Sequence, residues 1–227
     1  MKPSLLIVLV SVMVGLATAA KAGDLSDAFA IAHKSLVLVK AAGFGSGFVV
    51  HSSPESSAIL TVAHILGERR SAIIYLNDDP SVGYAASVLK IDKTTDLALL
   101  SVRQGRMVPM ILSTNVRLGG RIAVVGYPYS SLRSIAEAKE IKPSLQDGVV
   151  RLVPPTGYSI EYSATTYQGN SGGPILDVVS GYYVGVVSHW LKNVHGAYEA
   201  VGPSAIHDFL KKSGFDIATM EYTGKSR

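Results

Sequence analysis

From Ser35 to Val201 the chain is dominated by short apolar runs, rich in β-branched residues and broken by turn residues roughly every 10 to 15 positions. A first series comprises Leu36–Val39, Gly47–Val50, Ala58–Val62, Ala72–Leu76, Ala85–Ile91 and Leu97–Val102. A second comprises Arg121–Gly126, Gly148–Val153, Tyr158–Ser163, Pro174–Leu176, Tyr182–Ser188 and Tyr198–Val201. Asn77-Asp78-Asp79-Pro80 reads as a turn between two of the runs. Such spacing with few helical stretches predicts an all-β sandwich or barrel arrangement in two halves, with Gln104 to Leu118 crossing between them. Two helices are expected at the margins. Asp24 to His33 places Leu25, Phe29 and Ala32 on one side. Pro203 to Lys212 begins on proline, groups Ile206, Phe209 and Leu210, ends on lysines and is followed by Gly214. Glu221 to Arg227 reads as a frayed tail.

Composition narrows the function classes. Apolar residues make up 48% of the 227 and charged residues 17%, which supports a real core and excludes disorder as the main state. The 22 glycines and 10 prolines follow no repeat, which excludes collagen-like and low-complexity classes. The net charge of +4 comes without a long basic run, so no nucleic-acid partner is expected. With no cysteine, the chain has no disulfide, thiolate zinc site, iron–sulfur cluster or cysteine nucleophile.

The N-terminus bears on the compartment. Lys2 is followed by an almost wholly apolar stretch, Leu5 to Leu16, and then by Ala17-Thr18-Ala19-Ala20-Lys21-Ala22-Gly23. Both Ala17-x-Ala19 and Ala20-x-Ala22 fit the small-x-small rule for signal-peptide cleavage. The apolar segment falls short of the ~20 residues that span a bilayer as a helix. A signal peptide over residues 1–22 is expected, and with it a secreted or periplasmic protein. A membrane association would require that segment to stay uncleaved.

Three segments stand out as chemistry. Leu60-Thr61-Val62-Ala63-His64-Ile65-Leu66 brings a histidine to the end of a β run. Thr94-Thr95-Asp96-Leu97-Ala98-Leu99-Leu100 sets a carboxylate just before an apolar strand, and Gly169-Asn170-Ser171-Gly172-Gly173-Pro174 holds a serine in a glycine-rich turn. A serine hydroxyl becomes a useful nucleophile only when an imidazole takes its proton, and the imidazole needs a carboxylate to fix its tautomer. Glycines around the serine allow a tight turn that aims N–H groups at a tetrahedral oxyanion. Any one of the segments alone would be read as an ordinary strand end or turn. Together, in the order His, Asp, Ser with spacings of 32 and 75 residues, they form a catalytic pattern.

These segments resemble the motifs of chymotrypsin-fold serine peptidases, the trypsin-like clan, and most closely the cysteine-free bacterial branch typified by the HtrA/DegP proteases. That branch shows a strand ending in Ala-His, then Asp-Leu-Ala-Leu-Leu, then Gly-Asn-Ser-Gly-Gly-Pro. The likeness extends to Gly43-Phe44-Gly45-Ser46-Gly47-Phe48-Val49 and Ala200-Val201-Gly202-Pro203-Ser204-Ala205-Ile206, and covers residues 35 to 213. It implies two six-stranded antiparallel β-barrels with a short C-terminal helix. The first barrel would run over about residues 35–104 and the second over about 118–202, with the helix at about 203–213, all within a protease domain of residues 23–227. By the same resemblance His64 is general base and acid, Asp96 its orienting carboxylate and Ser171 the nucleophile. The N–H groups of Gly169 and Ser171 would form the oxyanion hole. Ser188 matches a serine beside the aspartate that lines the substrate strand.

Departures from the pattern carry expectations too. Digestive-type relatives place an aspartate before the serine to pair with a newly cut N-terminus; Asn170 cannot form that ion pair, so activation by that route is not expected. Ser188-His189-Trp190 stands where many relatives read Ser-Trp-Gly, so Trp190 would narrow the primary pocket. The pocket base, Thr165 to Gln168, has no carboxylate for a Lys or Arg side chain. Thr166 and His189 invite comparison with glutamate-specific relatives, although His189 lies two positions past their histidine and Val187 occupies that place. A small or medium apolar residue is the favoured substrate side chain. Thr165, Thr166, Ser188, His189 and Trp190 are thus the candidate substrate-binding residues.

Other motifs carry less. Gly169-x-Ser171-x-Gly173 also spells a nucleophile elbow, but Pro174 and the β-like Ile175-Leu176 oppose the helix that motif requires. Gly43-x-Gly45-x-Gly47 runs on into strand rather than helix, which argues for a steric need of glycine and not a phosphate loop. His33, His51, His195 and His207 lack paired metal-ligand spacing, so neither a metal nor another cofactor is expected. About 14 residues follow the last helix, so the peptide-binding PDZ domain usual in HtrA proteins, and any assembly depending on it, is not carried over. Protein or peptide substrates are the expected partners, and oligomeric state is left open. The expected function is an exported serine endopeptidase; the alternative is a catalytically silent peptide-binding module on the same fold.

Overall fold

The structure is a computed structural model and describes residues 23–77, 79, 81–128, 142–188, 196–215 and 219–220. The expected signal peptide and C-terminal tail lie outside the described residues, as do His189 and Trp190.

Helix α1 (Leu25–His33) starts where Asp24 accepts hydrogen bonds from the N–H groups of Ser26 and Asp27, capping the orphan donors of its first turn. It buries Ala28 and Ala32 and touches strands of the second barrel while leading into the first strand of the first.

The first barrel closes through β1 (Leu36–Lys40), β2 (Phe44–Ser52), β3 (Ser57–Val62), β4 (Ser71–Leu76), β5 (Gly83–Asp92) and β6 (Leu97–Val102), in the order β1-β2-β3-β6-β5-β4. All its pairings are antiparallel, and β1 meets β4 to complete the ring. Register shifts between Val49 and His51 and between Val88 and Lys90 supply the bends that closure needs. All six residues of β3 are buried, and its two polar members, Ser57 and Thr61, spend their hydroxyls on the main-chain carbonyls of Gln104 and Ser46. After it comes a single helical turn, α2 (Ala63–Leu66), and the tight Gly67 with φ 57°.

The second barrel uses β8 (Arg121–Gly126), β9 (Ser144–Leu152), β10 (Ser159–Tyr162), β11 (Pro174–Asp177), β12 (Tyr183–Val187) and β13 (Tyr198–Val201). The order β11-β8-β9-β10-β13-β12 closes where β11 pairs with β12. Between the barrels, β7 (Leu112–Ser113) adds a short parallel pairing to β12, and β14 (Thr219–Met220) pairs in parallel with β7. The fold is therefore two closed six-stranded antiparallel barrels, as expected, with a small parallel extension that the crossing segment provides. Helix α3 (Pro203–Lys212) packs on β12 and β7. Its C-terminal turn reaches the first barrel, where Lys90 Nζ donates to the Lys212 carbonyl at 2.7 Å.

One hydrophobic cluster fills the first barrel and continues beneath α1 and α3, with Phe48, Leu60, Leu99 and Tyr183 among its members. A smaller one, including Val124, Ile160, Tyr162 and Val187, fills the second barrel. Phe48 and Tyr183 meet edge to face with ring centroids 4.8 Å apart, joining strands of the two barrels.

Candidate active site

The three motif residues stand on three separate connections at the junction of the barrels. His64 lies on α2, directly after fully buried β3, so its side chain emerges from a rigid strand end and remains 43% exposed. Asp96 precedes β6 and has φ 57°, a left-handed conformation uncommon outside glycine. The Asp96 carbonyl accepts the Ala63 N–H at 2.9 Å, locking the two connections together.

Its carboxylate is engaged on both oxygens. Oδ1 accepts the His64 main-chain N–H at 2.9 Å. Oδ2 sits 2.7 Å from His64 Nδ1 and also accepts the Ser188 hydroxyl at 2.7 Å. Burial pushes the Asp96 carboxyl upward, but the hydrogen bonds from the His64 ring, Ser188 and the His64 main chain, together with the attraction of the adjoining His64 ring, outweigh it and hold it below the usual carboxylate range. Ser188, itself buried, follows β12, so the bond ties the first barrel's aspartate to the second barrel.

Ser171 is half-buried in the turn between Gly169 and Gly173. Gly169 has φ 99° and Gly172 φ 84°, values that glycine adopts freely and other residues resist. The turn is pinned by Asn170 N–H to Tyr167 O (3.0 Å), Gly172 N–H to Val187 O (2.8 Å) and Gly173 N–H to Asn170 O (2.8 Å). Among the described residues the N–H groups of Gly169 and Ser171 donate to no protein acceptor. Gly45 sits between this turn and α2: a Cβ there would lie 2.8 Å from Ser171 O and 2.1 Å from Ile65 Cδ1. Glycine at this position lets the serine turn close against the helical turn that carries His64.

Asn170 is fully buried, and its Nδ2 donates to Gln146 Oε1 at 3.1 Å, while Gln146 donates on to Ser144 at 2.7 Å. An uncharged amide relay thus fills the place behind the serine. Thr165 is exposed, whereas Thr166 is buried with its hydroxyl 2.8 Å from that of Tyr162. Beside Asp96 a cleft of about 370 Å³ is lined by Thr95, Tyr158, Ser159, Ser188 and Glu199. Ser46, Thr61, Tyr127 and Gln146 also bear on the serine turn and belong to no catalytic motif; the one local signal is at Ser46, a serine between two glycines.

Two closed six-stranded barrels with a histidine–aspartate pair and a glycine-rich serine turn at their junction are the arrangement of the trypsin-like peptidase class. The profile described as "Trypsin-like peptidase domain" matches residues 45–186, and the chain belongs to that family. It is 27% identical over 191 residues to Serine protease HTRA1 of Xenopus tropicalis, covering 82% of this chain and 39% of the relative. With Serine protease HTRA4 of Mus musculus it shares 30% over 173 residues, covering 74% of this chain and 34% of the relative. Serine protease Rv3671c of Mycobacterium tuberculosis is 29% identical over 147 residues. The chain therefore spans less than two-fifths of the length of these relatives. In fold it is similar to the crystal structure of the inactive form of Rv3671c protease, with TM-score 0.66, 23% identity and coverage of 83% and 93% of the two chains. The serine endoprotease of Yersinia pestis superposes with TM-score 0.68 at 20% identity, covering 82% of this chain and 65% of the other.

Proposed function

We propose that this chain is an exported serine endopeptidase that cleaves protein or peptide substrates through an acyl-enzyme. Ser171 Oγ attacks the scissile carbonyl while His64 takes its proton. With Nδ1–H donated to Asp96, the lone pair of the neutral imidazole resides on Nε2, the nitrogen that accepts from a serine hydroxyl. The Gly169 and Ser171 N–H groups receive the oxyanion, and their lack of an acceptor among the described residues supports that role. His64 then protonates the departing amine, and a water molecule, deprotonated by His64, releases the acyl group from Ser171. The observation that carries this reading is the 2.7 Å contact between His64 Nδ1 and an Asp96 carboxylate already held by Ser188.

The substrate side chain is proposed to be small or medium and apolar. No carboxylate lies within Thr165 to Gln168, and the Thr166 hydroxyl is already engaged by Tyr162, which favours neither a basic nor a glutamate side chain. Export rests on the signal peptide of residues 1–22. The test is hydrolysis of a mixed peptide library by the wild type and by Ser171→Ala. Losing the nucleophile of a coupled triad is expected to cost on the order of 10⁶ in turnover with peptide binding retained. Equal hydrolysis by both proteins would remove Ser171 from the reaction, and binding without hydrolysis by the wild type would leave a silent peptide-binding module.

A further inference from the structure

Ser46, on β2 of the first barrel, has no exposed surface and makes four hydrogen bonds, two of them to the turn that carries Ser171. Its main-chain N–H donates to Ser171 O at 2.8 Å, and its hydroxyl donates to Gly169 O at 2.8 Å. The same hydroxyl accepts the Tyr127 N–H at 2.9 Å, and the Ser46 carbonyl accepts the Thr61 hydroxyl at 2.8 Å. One side chain therefore uses its proton on the serine turn and a lone pair on the end of β8.

The pattern of peptide groups gives this a mechanistic meaning. The Gly169–Asn170 peptide is fixed at both ends, its carbonyl by Ser46 Oγ and its N–H by Tyr167 O. The Ser171–Gly172 peptide is likewise fixed at both ends, its carbonyl by Ser46 N–H and its N–H by Val187 O. Between and before them lie the two peptides whose N–H groups have no acceptor among the described residues, those of Ser171 and Gly169. Holding alternate peptides rigid sets the direction of the intervening N–H groups, because each shares a Cα with a fixed plane. Gly169 is the vulnerable point. At φ 99° a glycine has no Cβ to resist rotation, so its carbonyl needs an external anchor.

We infer that Ser46 is a positioning residue for the oxyanion hole, fixing through its hydroxyl the Gly169 carbonyl and thereby the aim of the Gly169 and Ser171 N–H groups. This rests on the reading of those two groups as the oxyanion donors. Ser46 itself touches no reacting atom. Its effect should appear where negative charge develops on the substrate oxygen, and in neither ground-state binding nor the protonation of His64.

The experiment compares Ser46→Ala with Ser57→Ala in the full chain. Ser57 is also a buried first-barrel serine whose hydroxyl donates to a main-chain carbonyl, that of Gln104 at 2.6 Å, but it is on β3 and bonds to nothing in the serine turn. For Ser46→Ala, kcat on a peptide substrate should fall about 10- to 100-fold, less than the ~10²–10³ lost when an oxyanion donor is removed outright. KM should stay within about threefold, and the acidic limb of the kcat/KM profile should not move, because the His64–Asp96 pair is untouched. Affinity for a peptide aldehyde, whose hemiacetal oxygen occupies the hole, should fall in parallel with kcat. Ser57→Ala should keep kcat within about twofold. Equal kcat for the two variants would overturn the inference, as would a loss confined to KM. If Ser46→Ala does not fold, Ser46→Cys against Ser57→Cys decides by the same kcat and KM split. Failure of the site reading itself is separable, since it alone would leave Ser171→Ala active.

Discussion

At the scale of single residues, the Asp96 carboxylate stays ionised in a largely dry setting because three donors from two barrels converge on it. Burial alone would raise its pKa; the His64 and Ser188 hydrogen bonds bring it below the usual range. A group whose folded pKa is depressed adds stability that is present above its unfolded pKa, near ~3.9, and is lost as pH falls through the folded value. Ser188→Ala removes one bond to the charged form, so the folded pKa should rise toward the unfolded one. The variant should lose about 1–3 kcal/mol at neutral pH and unfold in acid at a higher pH than the wild type. Far-UV circular dichroism followed from pH ~5 to ~2 measures the shift, and coincident acid midpoints would contradict it. The candidate residues His64, Asp96 and Ser171 could be named from sequence because their neighbours spell motifs. The positions of Ser46 and Gln146 against the serine turn could not, since hydrogen bonds spanning 123 and 24 residues leave no local periodicity.

At the scale of elements, all twelve barrel strands are legible as apolar runs, down to the four-residue β13, but the polar starts of the longest ones are not: β9 begins at Ser144, four residues before its apolar run. β6 and β8 match the apolar runs to the residue, and α3 matches its proline start and lysine end. β7, with two residues, and α2, with four, are too short for either period to register. Both are set by tertiary contacts, such as the Asp96 carbonyl on Ala63 N–H and the Tyr183 N–H on Ile111 O. The serine turn gives the sharpest element-level prediction. Gly172 has φ 84°, and a Cβ there would lie 2.1 Å from Ser46 O and 2.5 Å from Thr61 Oγ1. Gly172→Ala should therefore cost at least about 3 kcal/mol, from unfavourable backbone and overpacking together. Urea unfolding checks this, and a loss below about 1 kcal/mol would mean the turn has more room than its contacts suggest.

At the scale of the whole molecule, the candidate site lies where two barrels meet: His64 and Asp96 come from one, Ser171 and Ser188 from the other. Helix α1 leads into β1 of the first barrel while lying on β8 and β11 of the second, so it helps fix their relation. Signal cleavage after Ala19 or Ala22 leaves its Asp24 cap intact, and N-terminal sequencing of exported protein should find Ala20 or Gly23 first. Onset of activity only after a cut beyond His33 would reveal a propeptide and contradict the expectation drawn from Asn170. Activation of Ser171 by His64 is read directly by labelling the folded protein with a fluorophosphonate, which reacts with a serine only when a neighbouring base activates it. One label per chain is expected, on the peptide containing Ser171, abolished by Ser171→Ala and by His64→Ala and unaffected by EDTA. A label on another residue, or one that persists in His64→Ala, would contradict it.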